Sequence, residues 1–126
     1  ALANTAWAFA TAGVHDDALF AALALESSTN AATFDAQNLA NISWAFAKAR
    51  VPAPLFESLA EASLKKLGQM HPHEVTNILW ANAKVGLVKP PLFDALASTV
   101  ANDVHKYNAR QLANVAWAYA TAGGSN

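Results

Sequence analysis

Residues 38–49 read NLANISWAFAKA, and the same phrase recurs with small changes as LANTAWAFATAG from Leu2, VTNILWANAKVG from Val75 and LANVAWAYATAG from Leu112. Trp7, Trp44, Trp80 and Trp117 are spaced by 37, 36 and 37 residues, and Asn4, Asn41, Asn77 and Asn114 stand three residues before them. A fixed period of this length is the signature of a repeat array, in which each unit buries its apolar face against the next. The rest of the unit keeps the same period. Leu19-Phe20, Leu55-Phe56 and Leu92-Phe93 follow the tryptophans, and Phe34, Met70 and Tyr107 precede the next ones.

Each unit divides into two helices. The first, helix A, spans roughly 36–49 in the second copy, with Asp35 placed to cap its N-terminus and Asn108 placed likewise in the last copy. Gly13, Gly86 and Gly123 mark helix ends, Arg50 standing in the corresponding place of the second copy. Pro52, Pro54, Pro90 and Pro91 suit the first turn of the next helix. Helix B then carries Leu55, Phe56, Leu59, Ala60, Ala62, Ser63 and Leu67 at amphipathic spacing. Three whole units and one extra helix A give seven helices in the order A-B-A-B-A-B-A. The fold class is all-α: an α-solenoid of stacked antiparallel helix pairs, forming one array over residues 1–126. Neither end copy carries a polar outer face, so the array is expected to continue or to dock on another molecule.

Alanines on both sides of each tryptophan let neighbouring helices come close, and the tryptophans are expected in the core between layers. Asn82 takes the place filled by Phe9, Phe46 and Tyr119 in the other copies, so it needs a hydrogen-bond partner if buried, most simply a local one.

Composition narrows the function. Of 126 residues, 54% are hydrophobic and 13% charged, which fits a folded domain and not a disordered chain. The absence of cysteine excludes disulfides and thiolate metal sites. No apolar run is long enough for a membrane span. A net charge of −1 gives no global nucleic-acid footprint, so such a role must rest on one face. His71-Pro72-His73-Glu74 lacks the spacing of a helical zinc motif, and Lys65-Lys66 reads as a solvated face. Asp16-Asp17 suits a helix N-terminus. No nucleophile elbow or phosphate loop occurs, so neither an enzymatic activity nor a cofactor, metal or small-molecule substrate is expected.

On a helical wheel, the positions seven and three before and four after each tryptophan share a narrow sector of helix A, with the position six before it beside them. This sector holds Asn4, Asn41, Asn77 and Asn114 as a constant amide row. Around it lie Gln37, His73 and Arg110, then Asn38, Glu74 and Gln111, and finally Thr11, Lys48, Lys84 and Thr121. Stacked side by side, the A helices are expected to present this sector as a continuous stripe. A constant group with variable polar neighbours suits single-stranded RNA, where one holds each nucleotide and the others discriminate between bases. Charge partition agrees: the A segments with their caps carry four basic and two acidic residues, the rest four basic and seven acidic. The competing role for the Asn row is structural, bridging neighbouring helices.

The phrases LANISWAFAKA, LANVAWAYATAG and PLFESLAEA resemble the octotricopeptide repeat proteins, paired-helix arrays with units of roughly 38 residues. The resemblance spans almost the whole chain, although the proline-rich Pro-Pro-Pro-Glu-Trp phrase of many members is missing. It implies noncatalytic single-stranded RNA binding in a mitochondrion or chloroplast, for RNA maturation, stability or translation, or the holding of ribosomal RNA. The RNA surface would be Asn4, Gln37, Asn38, Asn41, Lys48, His73, Asn77, Lys84, Arg110, Gln111 and Asn114. The alternative is a structural scaffold making protein contacts inside a large organellar assembly such as a mitochondrial ribosome.

Overall fold

The computed structural model describes residues 2–13 and 16–123, the side chain of Leu55 excepted. Among these residues it holds seven α-helices and no strand: α1 (Leu2–Thr11), α2 (Asp17–Asn30), α3 (Ala36–Lys48), α4 (Glu57–Lys65), α5 (Pro72–Val85), α6 (Pro90–Asn102) and α7 (Ala109–Gly123). The odd-numbered helices are the A helices and the even-numbered ones the B helices. Single 3₁₀ turns at Ala53–Phe56 and Leu67–Gln69 replace the two ends expected of the second helix B, leaving nine residues of α-helix between them. Gly123 is the last described residue of α7.

The caps explain where the helices begin. Asp16 Oδ1 accepts from Leu19 N at 2.9 Å and Asp35 Oδ1 from Asn38 N at 2.8 Å. At α7 the cap is reciprocal: Asn108 Oδ1 accepts from Gln111 N at 2.8 Å and Gln111 Oε1 accepts from Asn108 N at 2.9 Å. At α5 the Glu74 carboxylate accepts from His71 N at 2.9 Å. The helix ends share one geometry. Gly86 has φ 80°, its N–H donates to Ala83 O, and Leu87 N donates to Asn82 O. Arg50 takes the same left-handed turn at φ 61°, with Arg50 N donating to Ala47 O and Val51 N to Phe46 O. Both ends form the Schellman pattern, in which the last orphan carbonyls of a helix are satisfied by a residue in the left-handed region.

The A helices form the closer row, α3 packing against α1 and α5, and α5 against α7. The B helices form a second row in which α4 contacts α2 and α6, and each repeat is closed by A-to-B contacts. Small side chains let the A row approach: Ala6, Ala40, Ala45 and Ala81 are fully buried. Between the rows run the aromatics. Phe46 is fully buried with Phe20 and Phe56 edge-on to it, ring centroids 6.4 Å away in both cases. Phe93 meets Tyr119 edge-on at 5.6 Å, and the Tyr119 hydroxyl donates to Phe93 O at 2.6 Å. Desolvation in this position pushes the Tyr119 phenol up to about 12. Asn82 is buried where the other copies have an aromatic, and its Nδ2 donates to Ile78 O at 2.8 Å, the local contact expected of it. Its Oδ1 has no partner.

The B row is held by lighter contacts. Ser28 Oγ and Ser58 Oγ lie 2.9 Å apart between α2 and α4, and Lys89 pairs with Glu57. That hydrogen bond raises the Lys89 ammonium above its ordinary range.

Candidate nucleic-acid groove on the A helices

A groove of about 480 Å³ crosses all four A helices. Trp7 and Thr11 of α1 line one end and Asn41 and Trp44 of α3 follow. His73, Thr76 and Asn77 of α5 come next, then Arg110, Gln111 and Asn114 of α7 with the cap residue Asn108. Six of the residues assigned from sequence meet here: Asn41, His73, Asn77, Arg110, Gln111 and Asn114. Asn4, Gln37, Asn38, Lys48 and Lys84 do not line it.

The expected stripe of equivalent positions is therefore corrected to a diagonal path. On α1 the groove uses the tryptophan and the residue four after it, whereas on α7 it uses positions three to nine before the tryptophan. Packed helices cross at angles of about 20 to 50° and not in parallel, so a groove across four of them meets each at a different height. A wheel drawn for one helix carries no information on that angle.

The Asn row does not bridge the helices. Asn77 Nδ2 lies 3.3 Å from His73 Nε2, one turn away on the same helix. Asn4, Asn41 and Asn114 make no side-chain hydrogen bond among the described residues. Their amides thus keep free donors and acceptors on an accessible surface. The position six before the tryptophan has another task. Glu74 and Gln111 cap their own helices there, so the polar character of this position in α5 and α7 follows from the N-terminal turn. The Gln111 carbonyl oxygen is spent on that cap, and only its NH₂ faces outward without such a partner.

The tryptophans are corrected as well. Trp7 is 46% exposed and Trp117 40%, while Trp44 and Trp80 rest one side of the ring on the core and remain part-exposed. Their rings border the polar sector: Trp80 and Trp117 lie 6.3 Å apart with planes tilted by 32°, and Lys48 Nζ sits 5.8 Å from the Trp44 ring centre. The wheel held this signal, since the residue seven before a tryptophan lies only about 20° from it. Alanines at the buried positions of helix A fill the closest approaches, and the large indoles sit outside them, Trp7 and Trp44 at the edge of the groove.

Chemically, the groove offers flat aromatic faces, unpaired amides, an imidazole and a guanidinium in one open channel. Among the described residues no group of His, Cys, Asp or Glu is arranged to hold a metal ion. No helix among them is long and apolar enough to cross a membrane.

Fold and groove together define an all-α protein of repeated helix pairs with a polar, tryptophan-bordered channel along its A helices. Residues 2–123 match the family model of RESC6, the RNA-editing substrate-binding complex 6 protein, and the chain belongs to that family. This overturns the octotricopeptide assignment: the family model that matches residues 2–123 is that of RESC6, so the Leu-Ala-Asn and Trp-Ala-Phe-Ala phrases did not single out the family. Comparison with the curated proteins gives no match.

Proposed function

We propose that the protein is a noncatalytic subunit of an RNA-editing complex that holds single-stranded RNA in the A-helix groove. One observation carries this reading. Tryptophan rings and amides with no protein partner from neighbouring repeats line the same open channel, and stacking on aromatic faces beside hydrogen bonds to base edges is how unpaired RNA is recognised. The family supports an RNA-handling assembly. Such complexes are mitochondrial, and the mitochondrion replaces the chloroplast and ribosome of the earlier resemblance. The two helix rows are taken as part of a solenoid, with residues 1–126 forming one array.

The scaffold alternative rests on the same A-helix faces, and exposed apolar side chains outside the groove would serve it as well. Leu25 on α2, Leu64 on α4 and Val104 after α6 are exposed large apolar side chains on the B side, and they suit contacts to other subunits.

The test is the triple substitution Asn41→Ala, Asn77→Ala and Asn114→Ala. Affinity for a labelled single-stranded RNA is expected to fall at least tenfold, taking about 0.5–1.5 kcal/mol for each net hydrogen bond, with helix content and melting unchanged. Unchanged affinity would remove the Asn row from the site. Affinity should also fall as salt rises, because the Arg110 guanidinium in the groove meets a phosphate.

A further inference from the structure

Arg50 occupies a backbone position that two other repeats give to glycine. Gly13 and Gly86 take the left-handed turn after helix A at φ 76° and 80°, and nothing lies within 4 Å of where a Cβ would stand. Arg50 takes it at φ 61° with a full side chain. The left-handed region is strained for any residue with a Cβ other than Asn or Asp, so an arginine persists there only against a local energetic cost. Packing does not explain it. Arg50 is exposed and makes no ion pair among the described residues. Charge at the helix end does not explain it either, since Lys48 already faces the C-terminal dipole of α3.

The surroundings do explain it. Arg50 lines two adjoining clefts beside Asp17, one shared with Lys48 and the other with Phe20 and Pro52. Lys48 in turn stands over Trp44, which lines the RNA groove. Trp44 thus borders both the groove and Lys48, and Lys48 shares a cleft with Arg50 at the end of α3. Strain of this kind gathers at ligand-binding positions, and a guanidinium beside an ammonium next to an aromatic ledge is suited to a phosphate.

We infer that Lys48 and Arg50 form a phosphate site at the α3 end of the groove, where the backbone of a bound RNA leaves the channel. This rests on the RNA reading of the groove. It adds a defined exit and a residue whose presence trades stability for binding. Asp17 opposes it, because its carboxylate borders the same clefts.

The experiment pairs thermal melting with titration of a labelled single-stranded RNA at several salt concentrations. Arg50→Gly is expected to melt about 2–6 °C higher, because it relieves the strained turn. It is also expected to bind RNA about three- to tenfold more weakly, with the slope of log affinity against log salt reduced by about 0.7. Arg50→Lys, which keeps both charge and strain, should melt like the wild type and retain most of the affinity. Asp17→Asn should bind more tightly. An Arg50→Gly variant that melts higher yet binds equally well would overturn the phosphate site, and one that melts lower would show that Arg50 holds the turn. If only the triple Asn variant loses affinity, this site falls and the groove stands. A wild-type protein that binds no RNA overturns both.

Discussion

Helices α3 and α5 carry the same phrase, pack against each other and end in the same turn, and two of the positions at which they differ set them apart most. Two residues after the tryptophan, α3 has Phe46 and α5 has Asn82; at the turn, α3 has Arg50 and α5 has Gly86. Each helix therefore follows the repeat rule where the other departs from it. At the aromatic position α3 has the fully buried ring, held edge-on between Phe20 and Phe56, and α5 has a buried amide with one oxygen unpartnered. At the turn the roles reverse, and α5 has the unstrained residue. The lesson is that the repeat period fixes the shape of the layer, while the departures mark where one copy accepts a local cost.

Breaking the aromatic side of this comparison should have the largest effect. Phe46→Ala removes the ring that two others lean on and is expected to destabilise the protein by about 3–5 kcal/mol, read by urea unfolding. A loss below about 1 kcal/mol would mean that the A and B rows do not depend on this contact. Asn82→Leu should act in the opposite direction. It removes a buried oxygen with no partner while Ile78 O keeps its helical bond, and a gain of about 1–2 kcal/mol is expected in the same assay. Destabilisation instead would show that Asn82 Oδ1 has a partner in solution, such as a buried water.

Tyr119 is the fourth member of that position and sharpens the contrast with a smaller effect. Tyr119→Phe keeps the ring against Phe93 and loses only the bond to Phe93 O, for an expected cost of about 0.5–1.5 kcal/mol. The same residue predicts a pH dependence. Its phenol titrates near 12 in the folded protein and near 10 unfolded, so its contribution is complete below about pH 10. It is then lost as the pH rises toward 12, because the unfolded chain ionises first. Melting curves across this window should show the decline in the wild type and a shallower one in Tyr119→Phe.

Much of the fold was legible in the sequence because it rests on local chemistry. Asp35 and Asn108 cap the helices they precede, Phe20, Phe56 and Phe93 face the core, and Gly86 closes its helix. The site was legible only in part. A wheel places side chains around one axis, so it grouped Asn41, Asn77 and Asn114, which line one groove, together with Lys84 and Gln37, which do not line it. Hydrophobicity, and not the wheel, placed the large indoles in the expected core. Burial depends on how much room the neighbouring helix leaves, and alanine-lined contacts leave little for Trp7, Trp44 and their equivalents. Six residues before the later tryptophans the polar side chains suggest a nucleotide-facing row, but for Glu74 and Gln111 the requirement of the first helical turn accounts for them.

The central claim is that RNA lies in the A-helix groove, and crosslinking tests it most directly. With a single-stranded RNA carrying photoreactive uridines, mass spectrometry of the crosslinked peptides should place the adducts on α3, α5 and α7, around Trp44, His73 and Arg110. Adducts confined to the B helices, or none at saturating RNA, would contradict it.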